Sequence, residues 1–298
     1  FRVGTSPIII MLAKPVILVA LVASLAAIYI SSQTVSVNVE QEFMKFVAEH
    51  RRSYFSKADY SFRLGVFTEN LKKIEELNNN DDGVVHGITK FADWTESEFE
   101  ALLTMKPEDH PENNYPEQHY HNIKAPQGEK DWRGKGNDVK DQGQCGSCWA
   151  FAATATLEYL SSVKINKLTD LAEQELVDCA TSAAGYQNNG CNGGWYDWAW
   201  NYVADKGGLN RQKDYKYTAK DGACNPDPDR FIPINKGHTN MGSNANLDAI
   251  RSKIDEFPVA VAVYASNWSS YSSGIFKCGF YFQVNHAVTA VGYGNENG

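Results

Sequence analysis

The sequence predicts an α+β protein in which a cysteine-free helical segment precedes a larger region with a helical half and then a β-rich half. Three observations support this. Tyr60, Leu64, Phe67, Leu71 and Ile74 alternate spacings of four and three, an amphipathic helical stripe. Trp149, Ala152, Ala153, Thr156, Leu157 and Leu160 fall on one face of a second kind of helix, within a helical half from about Val139 to Lys236. Pro258 to Ala265, Gly274 to Phe276 and Asn285 to Tyr293 then read as strands. With 43% hydrophobic and 12% aromatic residues, a chain of 298 residues can bury a sizeable core.

The elements follow in order. Residues 1–10 precede Met11 and are expected to be upstream nucleotide sequence read through in frame. Residues 11–32 place Lys14 before an apolar run from Val16 to Ile30, the pattern of a secretory signal cleaved soon after Ser31 or Ser32. Phe43, Phe46 and Val47 sit one turn apart, so two helices can pack through this face and the later stripe. Asn78 to Gly83 breaks the pattern with turn formers, His86 to Phe91 reads as extended, and Thr95 to Leu103 reads as a third helix. Ala125 to Gly128, following the polar, Pro-containing stretch from Lys106 to Asn122, reads as an exposed connector.

Charge and cysteines narrow the class. A formal charge of −8 and a pI near 5.4, with no basic run, argue against nucleic acid or an anionic membrane surface as partner. All six cysteines fall between Cys145 and Cys278, so the first part of the chain follows a different covalent plan and reads as a segment later removed.

The run from Asp141 to Phe151 concentrates reactive and turn-forming residues. Cys148 stands at the first turn of a helix, where N-terminal amides and the helix dipole stabilise a thiolate and lower the thiol pKa. Gly143 and Gly146 supply the turns that expose the sulfur. A nucleophilic sulfur needs a proton donor for the group it displaces, and His286 opens the strand in which Val288 and Val291 are apolar.

Here a resemblance becomes specific. Cys145 to Trp149 resembles the active-site segment of papain-family cysteine peptidases, and His286 lies within that family's usual interval of about 130 to 150 residues downstream. Arg63, Phe67, Asn70, Ile74 and Asn78 resemble the interspersed helical motif of papain-family propeptides, with Asp59 where Glu is usual. Gly87, Thr89, Phe91 and Asp93 resemble the second propeptide motif.

The resemblance implies a papain-like two-lobed fold, a helical lobe and a β-barrel-like lobe with the cleft between them, preceded by a helical propeptide. On that basis residues 40–104 are the inhibitory propeptide, 105–125 the connector that carries the activation cleavage, and 126–298 the peptidase domain, incomplete at its C-terminus. Cys148 is expected to be the nucleophile, His286 its base and Gln142, six positions before the cysteine, an oxyanion donor. Four of the cysteines allow three pairings, among which the resemblance selects Cys145 with Cys191 and Cys179 with Cys224. The family's catalytic asparagine and the partner of Cys278 would fall beyond the last residue, so the chain as it stands is expected to be inactive.

The resemblance also implies subsites. Gly193 and Gly194 match the backbone ledge that pairs with an extended substrate, and Trp195, Tyr196, Ala262, Asn285 and Ala287 match uncharged substrate-binding positions, favouring an apolar residue two places before the cut. Trp195, Trp198, Ala199, Tyr202 and Val203 also make a helical stripe, the ordinary mark of core. Neither a histidine-bearing occluding loop nor a propeptide cysteine is visible, which points to a cathepsin L-like endopeptidase.

The remaining expectations follow from these. No cofactor or metal is expected, since His119 and His121 lack a third ligand. Expected partners are peptide and protein substrates and the chain's own propeptide, with a monomeric state, no nucleic acid and no stable membrane association. The compartment is the secretory pathway, lysosome-like and acidic or extracellular. Asn267-Trp268-Ser269 is a glycosylation sequon. A propeptide-like inhibitor would need only Phe43 to Leu103, and an inactive homologue would bind peptides without cutting them; Cys148 and His286 speak against both.

Overall fold

The computed structural model describes residues 38–80, 83–110, 123–124, 126–241, 245–277 and 283–295. The signal segment, Cys278 and the His119 and His121 pair lie outside these residues. Helices run over 38–49 (α1), Lys57–Asn78 (α2), Glu96–Glu100 (α3), Cys148–Ile165 (α4), Glu173–Cys179 (α5), Tyr196–Lys206 (α6) and Leu247–Glu256 (α7). Strands are Val84–His86 (β1), Lys130–Asp131 (β2), Val259–Val263 (β3), Tyr271–Gly274 (β4), His286–Ala290 (β5) and Gly292–Tyr293 (β6). The chain divides into two compact units, one holding the residues through Trp94 with Ser270–Ile275, the other holding Thr95–Ser269 with the residues from Phe276 onward. No helix among the described residues is long and apolar enough to cross a membrane.

In the first unit α1 and α2 pack through aromatic rings. Phe43, Phe46 and Phe67 are buried, with ring centroids 5.1 Å apart for Phe43 and Phe67 and 5.2 Å for Phe46 and Phe67, and Tyr54, Tyr60, Leu64 and Leu71 close the cluster. Ser56 caps α2 by accepting from the Asp59 N–H at 3.1 Å. The polar motif residues of α2 hold the chain that returns beside it. Asn78 exchanges hydrogen bonds with the backbone of His86, and Asn70 donates to the carbonyls of Ala92 and Trp94, both at 2.9 Å. Arg63 donates to the Asp93 carbonyl at 3.0 Å, while the Asp93 carboxylate takes the Tyr54 hydroxyl and an ion pair with Arg52. These side chains satisfy backbone groups at the end of β1 and in the irregular turn from Ala92 to Trp94.

Two expectations change here. The strand expected at Gly274–Phe276 in the β-rich half is instead β4, which pairs antiparallel with β1 in the first unit, Val84 opposite Gly274. The third helix, expected over Thr95–Leu103, is confined to α3. Its start is fixed by a capping box between Thr95 and Glu98, but Leu102 buries outside the helix as the chain turns toward Thr104.

The second unit is organised by α4, whose small residues allow packing on two faces. Trp149, Ala150, Ala153 and Leu157 pack with Leu176 and Val177 of α5 and with Ala199, Tyr202 and Val203 of α6. Cys148 and Ala152 face β3 and β5 through Ala260, Ala262 and Ala287. Lys140 ties the loop before α4 to the core, with Nζ 2.7 Å from Glu158, 2.7 Å from Asp170 and 2.6 Å from Glu173. Disulfides join Cys145 to Cys191 and Cys179 to Cys224. The expected strand Asn285–Tyr293 is split: β5 pairs with β3 over five residues and β6 with β2, while the Val291 carbonyl between them accepts from the Trp132 N–H at 2.8 Å.

Two outcomes test this packing. Phe67→Ala should cost about 3 to 5 kcal/mol of stability in the first unit, read by denaturant unfolding, because three buried rings lose their common contact. Lys140→Met should cost a comparable amount in the second, about 3 to 5 kcal/mol, since it leaves Glu158 and Glu173 buried without their cation. A loss below about 1 kcal/mol in either variant would contradict the corresponding account.

Candidate active site

Cys148 is the first residue of α4, is 1% exposed, and is the free cysteine among the described residues. The N–H groups of Trp149 and Ala287 and the hydroxyl and backbone of Thr104 face its sulfur. Those donors favour a thiolate, as the helix start was expected to do. Burial outweighs them and pushes the thiol above its ordinary pKa, so the lowered value expected from sequence does not hold with the cleft covered.

His286 begins β5, opposite Val263 of β3. The Trp268 ring stands edge-on at 6.5 Å, and the imidazole Nδ1 is buried with no hydrogen-bond partner among the described residues. Burial lowers the imidazole pKa to about 4. Thiol and imidazole are therefore both held in their uncharged forms.

What covers them is the chain's own segment Thr104–Lys106. The Thr104 hydroxyl donates to the Gly146 carbonyl at 2.7 Å, the Met105 N–H donates to the Asn285 carbonyl at 3.1 Å, and the Lys106 carbonyl accepts from Trp195 Nε1 at 3.2 Å. A Cβ on Gly193 would stand 2.3 Å from the Thr104 carbonyl oxygen, and one on Gly146 would stand 2.3 Å from Thr104 Cγ2. Only glycine lets the segment lie this close. Met105, 1% exposed, packs with Cys148, Ala287, Trp195, Tyr196 and Ala262. Met105, the first residue assigned to the 105–125 connector, is buried here, and its apolar side chain fills a pocket.

The other expected site residues are placed as follows. Trp195, Tyr196, Ala262 and Ala287 line the Met105 pocket, with Ala262 and Ala287 directly opposite in the β3–β5 ladder. Asn285 is fixed by the Ala265 N–H and the Ser266 hydroxyl, both at 2.9 Å, and offers its carbonyl to the cleft. A Cβ on Gly194 would run into the Asn188 side chain, so that position also requires glycine. Gln142 Nε2 donates to the Cys145 carbonyl at 2.9 Å, which holds its side-chain amide in the loop that precedes Cys148, while the backbone carbonyl of Gln142 accepts from the Tyr217 hydroxyl. Sequence reasoning missed Thr104, Trp268 and the pairing of His110 with Asp197; an apolar Met in a polar stretch was the one available signal. Among the described residues no group of three or more His, Cys, Asp or Glu side chains converges as a metal site would require.

A lone thiol at a helix start beside a histidine-bearing strand, covered by the chain's own upstream residues, is the arrangement of a cysteine peptidase held in precursor form. The chain belongs to the papain family: "Papain family cysteine protease" matches residues 126–298, and "Cathepsin propeptide inhibitor domain (I29)" matches residues 43–99. Cysteine protease XCP2 of Arabidopsis thaliana is 35% identical over 268 residues, 86% of this chain and 73% of that protein. Digestive cysteine proteinase 2 of Homarus americanus is 38% identical over 267 residues, 85% of this chain and 80% of its own length. Among solved structures, digestive procathepsin L 3 of the Tenebrio molitor larval midgut superposes with a TM-score of 0.76 at 30% identity, covering 87% of this chain and 85% of that one. The chain is thus a cathepsin L-like cysteine endopeptidase in zymogen form.

The depressed His286 pKa links covering to pH. A base held below its ordinary value of 6.5 favours the covered state above that pH, and the contribution is lost as pH falls from 6.5 through about 4. In the Cys148→Ser precursor, hydrogen-exchange protection of the Met105 amide, corrected for intrinsic exchange, should fall across that interval. Protection that is equal at both ends would contradict the linkage.

Proposed function

We propose that Cys148 and His286 are the nucleophile and the acid–base partner of this endopeptidase, and that residues 104–106 block them until acid and a cut within 105–125 release the peptidase region 126–298. The observation that carries the reading is convergence on one sulfur: the N–H of Trp149, from the start of α4, and the N–H of Ala287, next to His286 in β5, both face Cys148. On release, water returns to the cleft and the burial that neutralises both groups is lifted. The Sγ proton then passes to His286, and the thiolate attacks the substrate carbonyl carbon.

The developing oxyanion takes hydrogen bonds from the Cys148 N–H and from the second N–H of the Gln142 amide, the first being held by Cys145. His286 returns the proton to the departing amine and next deprotonates the water that hydrolyses the thioester. The pocket now holding Met105 takes an apolar substrate residue two places before the cut, bounded by Trp195, Tyr196, Ala262 and Ala287. Gly193 supplies the ledge for substrate backbone, and Gly194 its support. Two disulfides and an acid-labile cover suit an oxidising, acidified compartment of the secretory pathway. The enzyme acts as a monomer on peptides and proteins, and its charge of −8 disfavours nucleic acid.

In a full-length version, Cys148→Ser should fold and bind peptide yet lose at least about a thousandfold in kcat, because a serine hydroxyl is not ionised here; turnover within tenfold of the full-length parent would overturn the assignment. Gln142→Ala should lower kcat by about a hundredfold with KM changed less than about threefold. A change confined to KM would make Gln142 a binding residue instead.

A further inference from the structure

Beyond the Met105 pocket the same wall carries a second recess, filled by His110. The chain turns through a short 3-10 helix, Pro107–Asp109, and His110 lies between two indoles, 4.4 Å from the Trp195 ring and parallel to the Trp198 ring at 5.4 Å with an interplanar angle of 6°. A carboxylate can only accept, so His110 Nε2 carries the proton it shares with Asp197 Oδ2 at 2.9 Å. Asp197, in the first turn of α6, is 4% exposed, and its Oδ1 is buried with no hydrogen-bond partner among the described residues. Among the described residues His110 pairs with it, and Tyr196 and His238 feel its charge; none of these three is a permanent cation.

A buried carboxylate with half its acceptors unused, floored between two aromatic faces, is a receptor for a flat or compact cation. The recess is continuous with the cleft, since Trp195 both borders the Met105 pocket and binds the Lys106 carbonyl. We propose that, once the segment through His110 has left, Asp197 between Trp195 and Trp198 receives an arginine or lysine side chain of the peptide substrate and is a specificity-determining residue. His110 occupies the recess in the precursor as a stand-in for that side chain. Arginine is the better fit, because a planar guanidinium can stack on Trp198 as the imidazole does while donating to both carboxylate oxygens. This inference rests on the peptidase reading of the cleft.

The test uses a full-length version of the enzyme, acid-activated, and fluorogenic peptides sharing an apolar residue two places before the cut, with arginine or its neutral isostere citrulline scanned through the third to fifth places. At one of these places arginine should exceed citrulline about tenfold in kcat/KM, and Asp197→Asn should bring that ratio close to one. The ratio is taken within each enzyme, so a general loss of activity cancels. A wild-type ratio near one at every place, or an unchanged ratio in Asp197→Asn, overturns the proposal, and if the variant does not fold the wild-type ratios decide. If the activated enzyme cuts none of the peptides, the peptidase reading has failed separately. The recess is then judged by tryptophan quenching, where arginine peptides should bind about tenfold more tightly than citrulline peptides and equal binding rejects it.

Discussion

The cleft depends on the tie between the loop that delivers Cys148 and the loop that delivers Gly193. The Cys145–Cys191 disulfide joins the two covalently, and the Gly146 N–H donates to the Cys191 carbonyl at 2.8 Å. From that joint, α4 starts at Cys148 on one side, and on the other the chain passes through Gly193 and Trp195 into α6. Lys140 holds the first loop from below by neutralising Glu158 and Glu173, two carboxylates that burial alone would make costly. With both walls fixed, a peptide can lie between them in hydrogen-bonding distance of each, which is what Thr104–Lys106 does.

Covering and chemistry draw on the same atoms. The amides of Trp149 and Ala287 face the sulfur and would stabilise a thiolate in water. Sealed under Met105, the same sulfur is desolvated, and His286 is too far below its ordinary pKa to hold a proton near neutrality. The inhibited state is therefore a steric plug and also a pair of groups kept from ionising, so removal of the plug restores access and charge together.

Much of this was legible in the residues. Cys148 and His286 stood out as candidates because the run around the cysteine and the interval to the histidine resemble the papain family, as did Asn70 and Asn78 through its propeptide motif, whereas Phe67 stood out because a helix repeats its face every few residues. The misses were long-range. β4 pairs with β1 across a separation that no local pattern encodes, and Gly274–Phe276 was assigned to the β-rich half for that reason. Met105 looked like connector because its neighbours are polar, and its burial follows from a pocket assembled by Trp195, Ala262 and Ala287, residues distant in sequence. Asp197 drew no reading from the sequence, since only the fold brings His110 to it.

The central claim is that the chain's own segment, seated on Gly146 and Gly193, is what separates Cys148 from substrate. The most direct measurement is active-site titration with a thiol-reactive peptide electrophile, the adduct located by mass spectrometry, on the intact precursor and on the same protein after acid activation. The account predicts negligible labelling of Cys148 before activation and about one equivalent on Cys148 afterwards. Equal labelling of the two forms, or an adduct on another residue, would contradict it.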